Sequence, residues 1–244
     1  MSGPRVVVIV QARMGSTRLP GKVLMELEGR PVLQRQLERL TRARTPDATV
    51  IATSTDPRDQ PIVDLATRLG VPVTRGSEDD VLDRYLRAAR EHAADIVVRV
   101  TADCPLIDPT VLDRCVDRLL ADPTLDYVSN TLERTYPRGL DVEVLTQATL
   151  ATAANTATDP ADREHVTRFV WRQPECFHLG SVTDDEDHSD LRWTVDTPED
   201  LALIRRIYRD LHPEDPCFGY RAALAHADAF PDVHALNAHV EQKA

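Results

Sequence analysis

The sequence predicts an α/β protein built on a mostly parallel, mixed sheet with helices on both faces. Three observations carry that prediction. Residues 5–10 contain an unbroken run of β-branched side chains, the composition of a strand buried on both faces. Strand-like and helix-like patterns then alternate at the spacing of βαβ units. Polar loops follow the first strand-like runs, and open α/β sheets bind ligands beyond the carboxyl ends of their strands.

The elements follow in order. The first strand runs into a Gly/Pro-punctuated loop, 11–22. Leu33, Leu37 and Leu40 then mark one helix face. Residues 49–53 read as a strand. Ile62, Leu65, Ala66 and Leu69 form a helical stripe closed by Gly70. Residues 71–74 read as an edge strand, because Pro72 has no N–H for a ladder. Val81, Leu82, Tyr85 and Ala89 make a third helix, 95–101 a fourth strand, and Val111, Leu112, Cys115, Leu119 and Leu120 a fourth helix. From Asp126 the rhythm changes. Strands are expected at 126–130 and 140–145, joined by a long polar loop. A helix over Leu150, Ala153 and Ala154 follows, then another around 165–171. Strands at 176–182 and 191–195 flank an acidic loop, 183–190. Leu201, Ile204 and Tyr208 mark a further helix. The tail reads as helical turns broken at Pro213, Pro216 and Pro231. The expected organisation is one domain over 1–244, with 126–182 as a mixed sheet edge or small lobe and 211–244 as a helical tail.

Charge narrows the class of partner. The net charge is −11, which argues against a general nucleic-acid coat or an anionic membrane surface. Residues 1–44 alone are +6, so a small polyanion can still bind at that end. The apolar run 6–10 is too short for a membrane span or a signal h-region. Cys104, Cys115, Cys176 and Cys217 are scattered with no C-x-x-C pair. Reduced, mostly buried thiols in a cytoplasmic protein are expected.

The loop 11–22 is the most informative segment. Gly15 permits close backbone approach, Ser16 and Thr17 offer donors, and Arg13, Arg18 and Lys22 can bracket a polyphosphate. It is not a P-loop. Five residues separate Gly15 from Gly21, and Val23 stands where a Ser or Thr would hold the metal. Two aspartates lie directly after strand-like runs, Asp103 and Asp196. A Mg²⁺ held by one or two carboxylates plus phosphate oxygens suits such a pair. Thr197, Pro198 and Asp200 form a capping box that starts the next helix and leaves Asp196 without a structural role. Ser77 and Asp80 fit another helix start, while Arg75, Gly76 and Asp80 also follow a strand and can line a base and ribose pocket.

These segments together resemble the cytidylyltransferase family, which includes sugar-acid cytidylyltransferases and a spore-coat polysaccharide SpsF-like group. The stretch 12–22 is similar to its CTP-binding signature, and 101–105 and 195–200 to its two metal-aspartate segments. The stretches 75–84 and 163–167 look closest to the SpsF-like branch. The resemblance implies a Rossmann-like nucleotidyltransferase fold with a small acceptor or dimerisation lobe, CTP as donor, Mg²⁺ as cofactor, and a homodimer. Carried onto this sequence, Arg13, Ser16 and Lys22 bind the triphosphate, and Asp103 and Asp196 bind metal. The wider nucleotide site is expected to include Gln11, Ala12, Gly15, Arg18, Thr53, Arg75, Gly76, Asp80 and Asp103. The catalytic set is Arg13, Lys22, Asp103 and Asp196.

A small acidic acceptor is expected near 136–143. Arg138 can grip a carboxylate or phosphate, and Asp141 and Glu143 share one strand face. His165, beside Arg163, Glu164 and Arg168, is a further acceptor candidate. A GT-A-like glycosyltransferase is the competing class, but Thr101 and Asp103 supply only the last residue of an Asp-x-Asp metal motif. A silent nucleotide-binding protein is the third reading.

Overall fold

The computed structural model describes residues 3–241. Strand β1 (Val6–Gln11) is followed by a small hairpin, β2 (Glu26–Leu27) and β3 (Arg30–Pro31), and by helix α1 (Val32–Leu40). Next come β4 (Ala48–Ser54), α2 (Gln60–Leu69), β5 (Val73–Gly76), α3 (Val81–Glu91), β6 (Ile96–Thr101) and α4 (Pro109–Ala121). The chain continues through β7 (Tyr127–Ser129), β8 (Glu143–Thr146), α5 (Gln147–Thr156), α6 (Pro160–Glu164), α7 (Arg168–Trp171) and β9 (Leu179–Ser181). It closes with α8 (Pro198–Leu211), α9 (Tyr220–Ala229) and α10 (Pro231–His234).

The main sheet has the order β5-β4-β1-β6-β8-β7-β9. Strands β5, β4, β1 and β6 are parallel, and β8 runs against both β6 and β7. The sheet is therefore mixed and mostly parallel, as the alternating pattern predicts. Period-2 geometry explains why β1 must be apolar throughout. Val6, Val8 and Val10 pack with Leu33, Leu37 and Ile62 on one face. Val7 and Ile9 pack with Leu82, Tyr85 and Ala89 on the other. Burying each such side chain contributes about 1.5–3 kcal/mol. The Tyr85 hydroxyl finds a partner at the seam of β1 and β6, donating to the Val100 carbonyl at 3.1 Å.

Several sequence expectations shift. The edge strand starts at Val73, after Pro72, and reaches Gly76. The two expected strands at 126–130 and 140–145 shorten to β7 and β8, and the one at 176–182 to β9. The expected helix around 165–171 begins only at Arg168, because Val166 has φ of 54° and interrupts it. The expected strand at 191–195 is not a strand. It touches the loop at 137–139 through a single bridge, Arg138 to Arg192. That loop turns at Gly139 (φ 102°), whose missing Cβ would lie 2.6 Å from the Trp193 carbonyl carbon. A loop that turns so tightly offers no continuous edge for a ladder. The hairpin β2–β3 has strands of two residues each, too short to show a period in the sequence.

Cys104 and Cys115 are buried, while Cys176 and Cys217 are exposed, and all four thiols are free. Among the described residues no helix is long and apolar enough to cross a membrane.

Candidate active site

Strands β1 and β6 are neighbours, and Gln11 lies opposite Thr101 at their carboxyl ends. Beyond this edge is a cleft of about 510 Å³ whose lining includes Gln11, Arg13, Gly15, Ser16, Arg18, Lys22, Asp103 and Asp196. The loop after β1 wraps on itself to form one wall. The Met14 carbonyl accepts from both Ser16 N–H and Gly21 N–H at 3.0 Å. Met14 N–H donates to Asp59 Oδ1 at 2.7 Å. Gly21 is left-handed (φ 72°), which swings Lys22 into a single helical turn.

Lys22 is the centre of the site. Its ammonium donates to Asp103 Oδ2 at 2.6 Å and to Asp196 Oδ1 at 2.7 Å. Burial works against that charge, yet Asp103 and Asp196 outweigh it and raise the Lys22 pKa above its ordinary 10.5. Asp103 shows the reciprocal balance. Burial disfavours its charge, but Lys22 and the Thr101 hydroxyl, 2.6 Å away, hold its pKa below 3.8. Asp196 also faces Arg18 at 3.0 Å and Arg192 at 2.7 Å.

Asp196 reaches this point without a strand. Val195 N–H donates to the Asp103 carbonyl at 2.8 Å, so the two aspartate segments run side by side. The capping box follows directly. Thr197 Oγ1 accepts from Asp200 N–H, and Asp200 Oδ2 accepts from Thr197 N–H at 3.0 Å. Asp200 also takes Arg192 Nε at 3.0 Å, so the cap fixes the arginine that holds Asp196.

Asp103 and Asp196 converge on one cation position, which the Lys22 ammonium fills. Among the described residues no cluster of three or more His, Cys, Asp or Glu side chains forms a metal site. Two carboxylates beside a basic loop still fit a hard divalent ion that takes its remaining ligands from phosphate and water.

The other predicted residues divide. Gln11 lines the cleft, and its Oε1 is buried with no hydrogen-bond partner among the described residues. Ala12 is buried, with its N–H bonded to the Ala52 carbonyl at 3.1 Å, so it shapes the loop rather than lining the cleft. Thr53, Arg75, Gly76 and Asp80 are also outside the lining. The Thr53 hydroxyl donates to Asp59 at 3.2 Å. Arg75 donates to the Ser54 carbonyl at 2.9 Å and to Gln60. Gly76 packs against the Arg84 side chain. Asp80 is the cap of α3, accepting from Asp83 N–H, while Ser77 Oγ accepts from Asp80 N–H at 3.2 Å just before it; Asp80 also pairs with Arg163 at 2.5 Å. Of these, Thr53 supports the wall of the cleft from behind, through Asp59 and Met14.

Near the expected acceptor region, Asp141 and Glu143 line a smaller cavity of about 150 Å³ with Arg99, Thr131 and Arg134, and it shares Thr101 with the cleft. Arg134 grips Asp141 with two bonds, at 2.7 and 2.9 Å. Glu143 is buried and accepts from Tyr127, Thr167 and Arg99. Arg138 lines neither space, and burial, with Arg134 beside it, lowers its pKa. His165 is exposed at the end of α6, away from both linings.

Sequence reasoning missed Asp59, Thr101, Arg192, Arg58 and Glu78. Thr101 had a signal, since it ends a strand two residues before Asp103. Asp59 had none for its bond to Met14, 45 residues away, and Arg192, though four and eight residues from Asp196 and Asp200, lies in an extended segment where spacing does not set which side chains meet.

A parallel-edge cleft with a basic loop and paired carboxylates defines an α/β nucleotidyltransferase fold. A family model described as Cytidylyltransferase matches residues 7–227, and the chain belongs to that family. It is 32% identical over 211 residues to the spore coat polysaccharide biosynthesis protein SpsF of Bacillus subtilis, covering 84% of this chain and 86% of that one. It superposes on a cytidylyltransferase structure from Leptospira borgpetersenii with a TM-score of 0.92 and 32% identity, covering 99% of this chain and 100% of that one. A CMP:2-keto-3-deoxy-manno-octonic acid synthetase solved with CTP shares the fold, at a TM-score of 0.66 and 18% identity over 84% of this chain and 99% of that one.

Proposed function

We propose that this enzyme transfers a cytidylyl group from CTP to a small acidic acceptor and releases pyrophosphate. The observation that carries the reading is the Lys22 ammonium held between Asp103 and Asp196 at a cleft also lined by Arg13, Ser16 and Arg18. In this reading Arg13, Ser16, Arg18 and Lys22 bind the triphosphate. Gln11 offers its free carbonyl oxygen to a donor group of the nucleotide. Asp103 and Asp196 would hold Mg²⁺ once the Lys22 ammonium turns from them to the phosphates, and the ion would supply charge neutralisation there.

The acceptor oxygen attacks the α-phosphorus in line, and pyrophosphate leaves. Arg13 and Lys22 stabilise charge gathering on the transferring and leaving groups. An ionised phosphate or phosphonate oxygen needs no protein base, whereas a sugar-acid hydroxyl gives up its proton to solvent as it attacks. Residues 126–182 serve the acceptor and a homodimer contact within one domain spanning 1–244, in a cytoplasmic protein. Asp141 and Glu143 connect to the nucleotide cleft through the cavity that shares Thr101 with it. Glu143 holds that cavity's shape, and Arg138 and His165 act there only if the segment moves on binding.

The test incubates the purified protein with each NTP, Mg²⁺ and a pooled panel of sugar acids, sugar phosphates and phosphonates, and follows pyrophosphate. Metal-dependent release with CTP and one acceptor is expected. Nucleotide-sugar turnover with no release from CTP would sink the proposal.

A further inference from the structure

The basic stretch at the start of the chain is only partly used by the nucleotide cleft. Arg13, Arg18 and Lys22 line that cleft, whereas Arg30, Arg35, Arg39 and Arg42 line a second cavity of about 540 Å³, closed by Tyr208, His212 and Cys217. The two cavities have no lining residue in common. Three of these arginines recur along α1 and just beyond it at spacings of four and three, so they share one helix face.

Their charge is poorly compensated. Arg35 and Arg39 are buried, at 5% and 3% exposure. Arg39 donates to the carbonyls of Ile107 and Phe218 at 2.7 and 2.9 Å, and its nearest carboxylate, Asp108, is 4.0 Å away. Arg42 donates to the Cys217 carbonyl at 2.6 Å. Arg35 donates to the carbonyls of Leu27 and Glu28. Among the described residues only Glu38 pairs closely within the cavity, and Arg30 and Arg35 share it. Carbonyl oxygens satisfy guanidinium hydrogen bonds but carry no full charge, and buried charge is costly until it is paired. His212 reports the resulting field. Its Nε2 lies 2.9 Å from Arg35, and burial followed by Arg35 lowers its pKa below 6.5.

We propose that this second cavity binds a small phosphate-class anion, gripped by Arg30 and Arg42 at its rim and attracted by the positive charge of the buried Arg35 and Arg39 behind them, whose own donors are mostly taken by carbonyls. Arginine suits this because its planar fork offers several donors to phosphate oxygens. Glu28 and Glu38 at the edge disfavour long polyanions such as nucleic acid. The site is independent of the proposed transferase activity and stands or falls separately from it.

The test follows the His212 ring resonance by NMR in the full chain while inorganic phosphate, pyrophosphate or a sugar phosphate is added. A saturable shift with at least one of the three is expected, both in the wild type and in Lys22→Ala, which disables the other cleft. Arg42→Glu should weaken that binding at least tenfold while turnover with CTP is unchanged. Arg30→Glu, at an exposed residue, provides the same test should the first variant fold poorly. The absence of a saturable shift with all three anions would overturn the proposal. So would a shift that disappears in Lys22→Ala and survives in both arginine variants.

Discussion

Lys22 and Asp196 are 174 residues apart in sequence, yet their side chains meet at 2.7 Å. The contact draws the loop after β1 and the start of α8 together at one sheet edge. It also places an ammonium between two carboxylates that otherwise repel each other.

Lys22→Ala therefore has two expected effects. Turnover should fall by about 10²–10³, the usual cost of losing a charge-stabilising donor. Stability should change less than a lost buried pair implies, about 3–5 kcal/mol, because Asp196 keeps Arg18 and Arg192. Steady-state kinetics beside a urea titration separates the two. Near-normal kcat in the variant would remove Lys22 from the catalytic set.

Asp59 anchors the loop from beneath. It accepts from Met14 N–H, Ser54 N–H and the hydroxyls of Thr53 and Ser54. Asp59→Ala leaves those donors without their partner, at about 1–3 kcal/mol each where no water reaches them. The expected outcome is a raised KM for CTP and a lower melting temperature. An unchanged KM would show that the loop holds its shape without Asp59.

Gly139→Ala is expected to be strongly destabilising. The residue has φ of 102°, and an added Cβ would lie 2.6 Å from the Trp193 carbonyl carbon and 2.7 Å from Thr194 N. Both obstacles are backbone, so the cost should reach about 4 kcal/mol or more. Activity should fall too, because the displaced segment carries Arg192 and Asp196. Thermal denaturation within a degree or two of wild type would contradict this packing.

The pH dependence of stability should come from His234 rather than from the cleft. Asp103 lies below 3.8 and Lys22 above 10.5, so their pairing is lost only as pH falls through the former's folded value or rises through the latter's. His234 is different. Burial, then the neighbouring His226, lowers its pKa from 6.5 to about 4. The unfolded chain therefore binds a proton first, and stability present above pH 6.5 declines as pH falls toward about 4. Trp193 Nε1, His226, and through His226 Asp210, face this ring. His234→Gln should flatten the decline in melting temperature across that range, and an equal slope in the variant would assign it elsewhere.

Local pattern carried the sheet and its loops. The apolar run of β1, the helical stripes of α1 to α4, and the capping box of α8 each depend on neighbours within a few residues. The loop 11–22 was legible for the same reason, since its glycines and cations lie within one short segment. Asp103 and Asp196 were legible as residues after extended segments.

Their meeting was settled only by tertiary structure. The segment 191–195 satisfies its backbone on a loop and on the Asp103 carbonyl instead of on a strand, and no local pattern encodes that choice. Asp59 beneath Met14 and the arginines of α1 enclosing a second cavity belong to the same class. Sequence by itself determined which residue types carry charge and where the chain turns. Folding decided which charges face one another, because electrostatic pairing depends on distance in space and burial, and both arise from packing between distant segments.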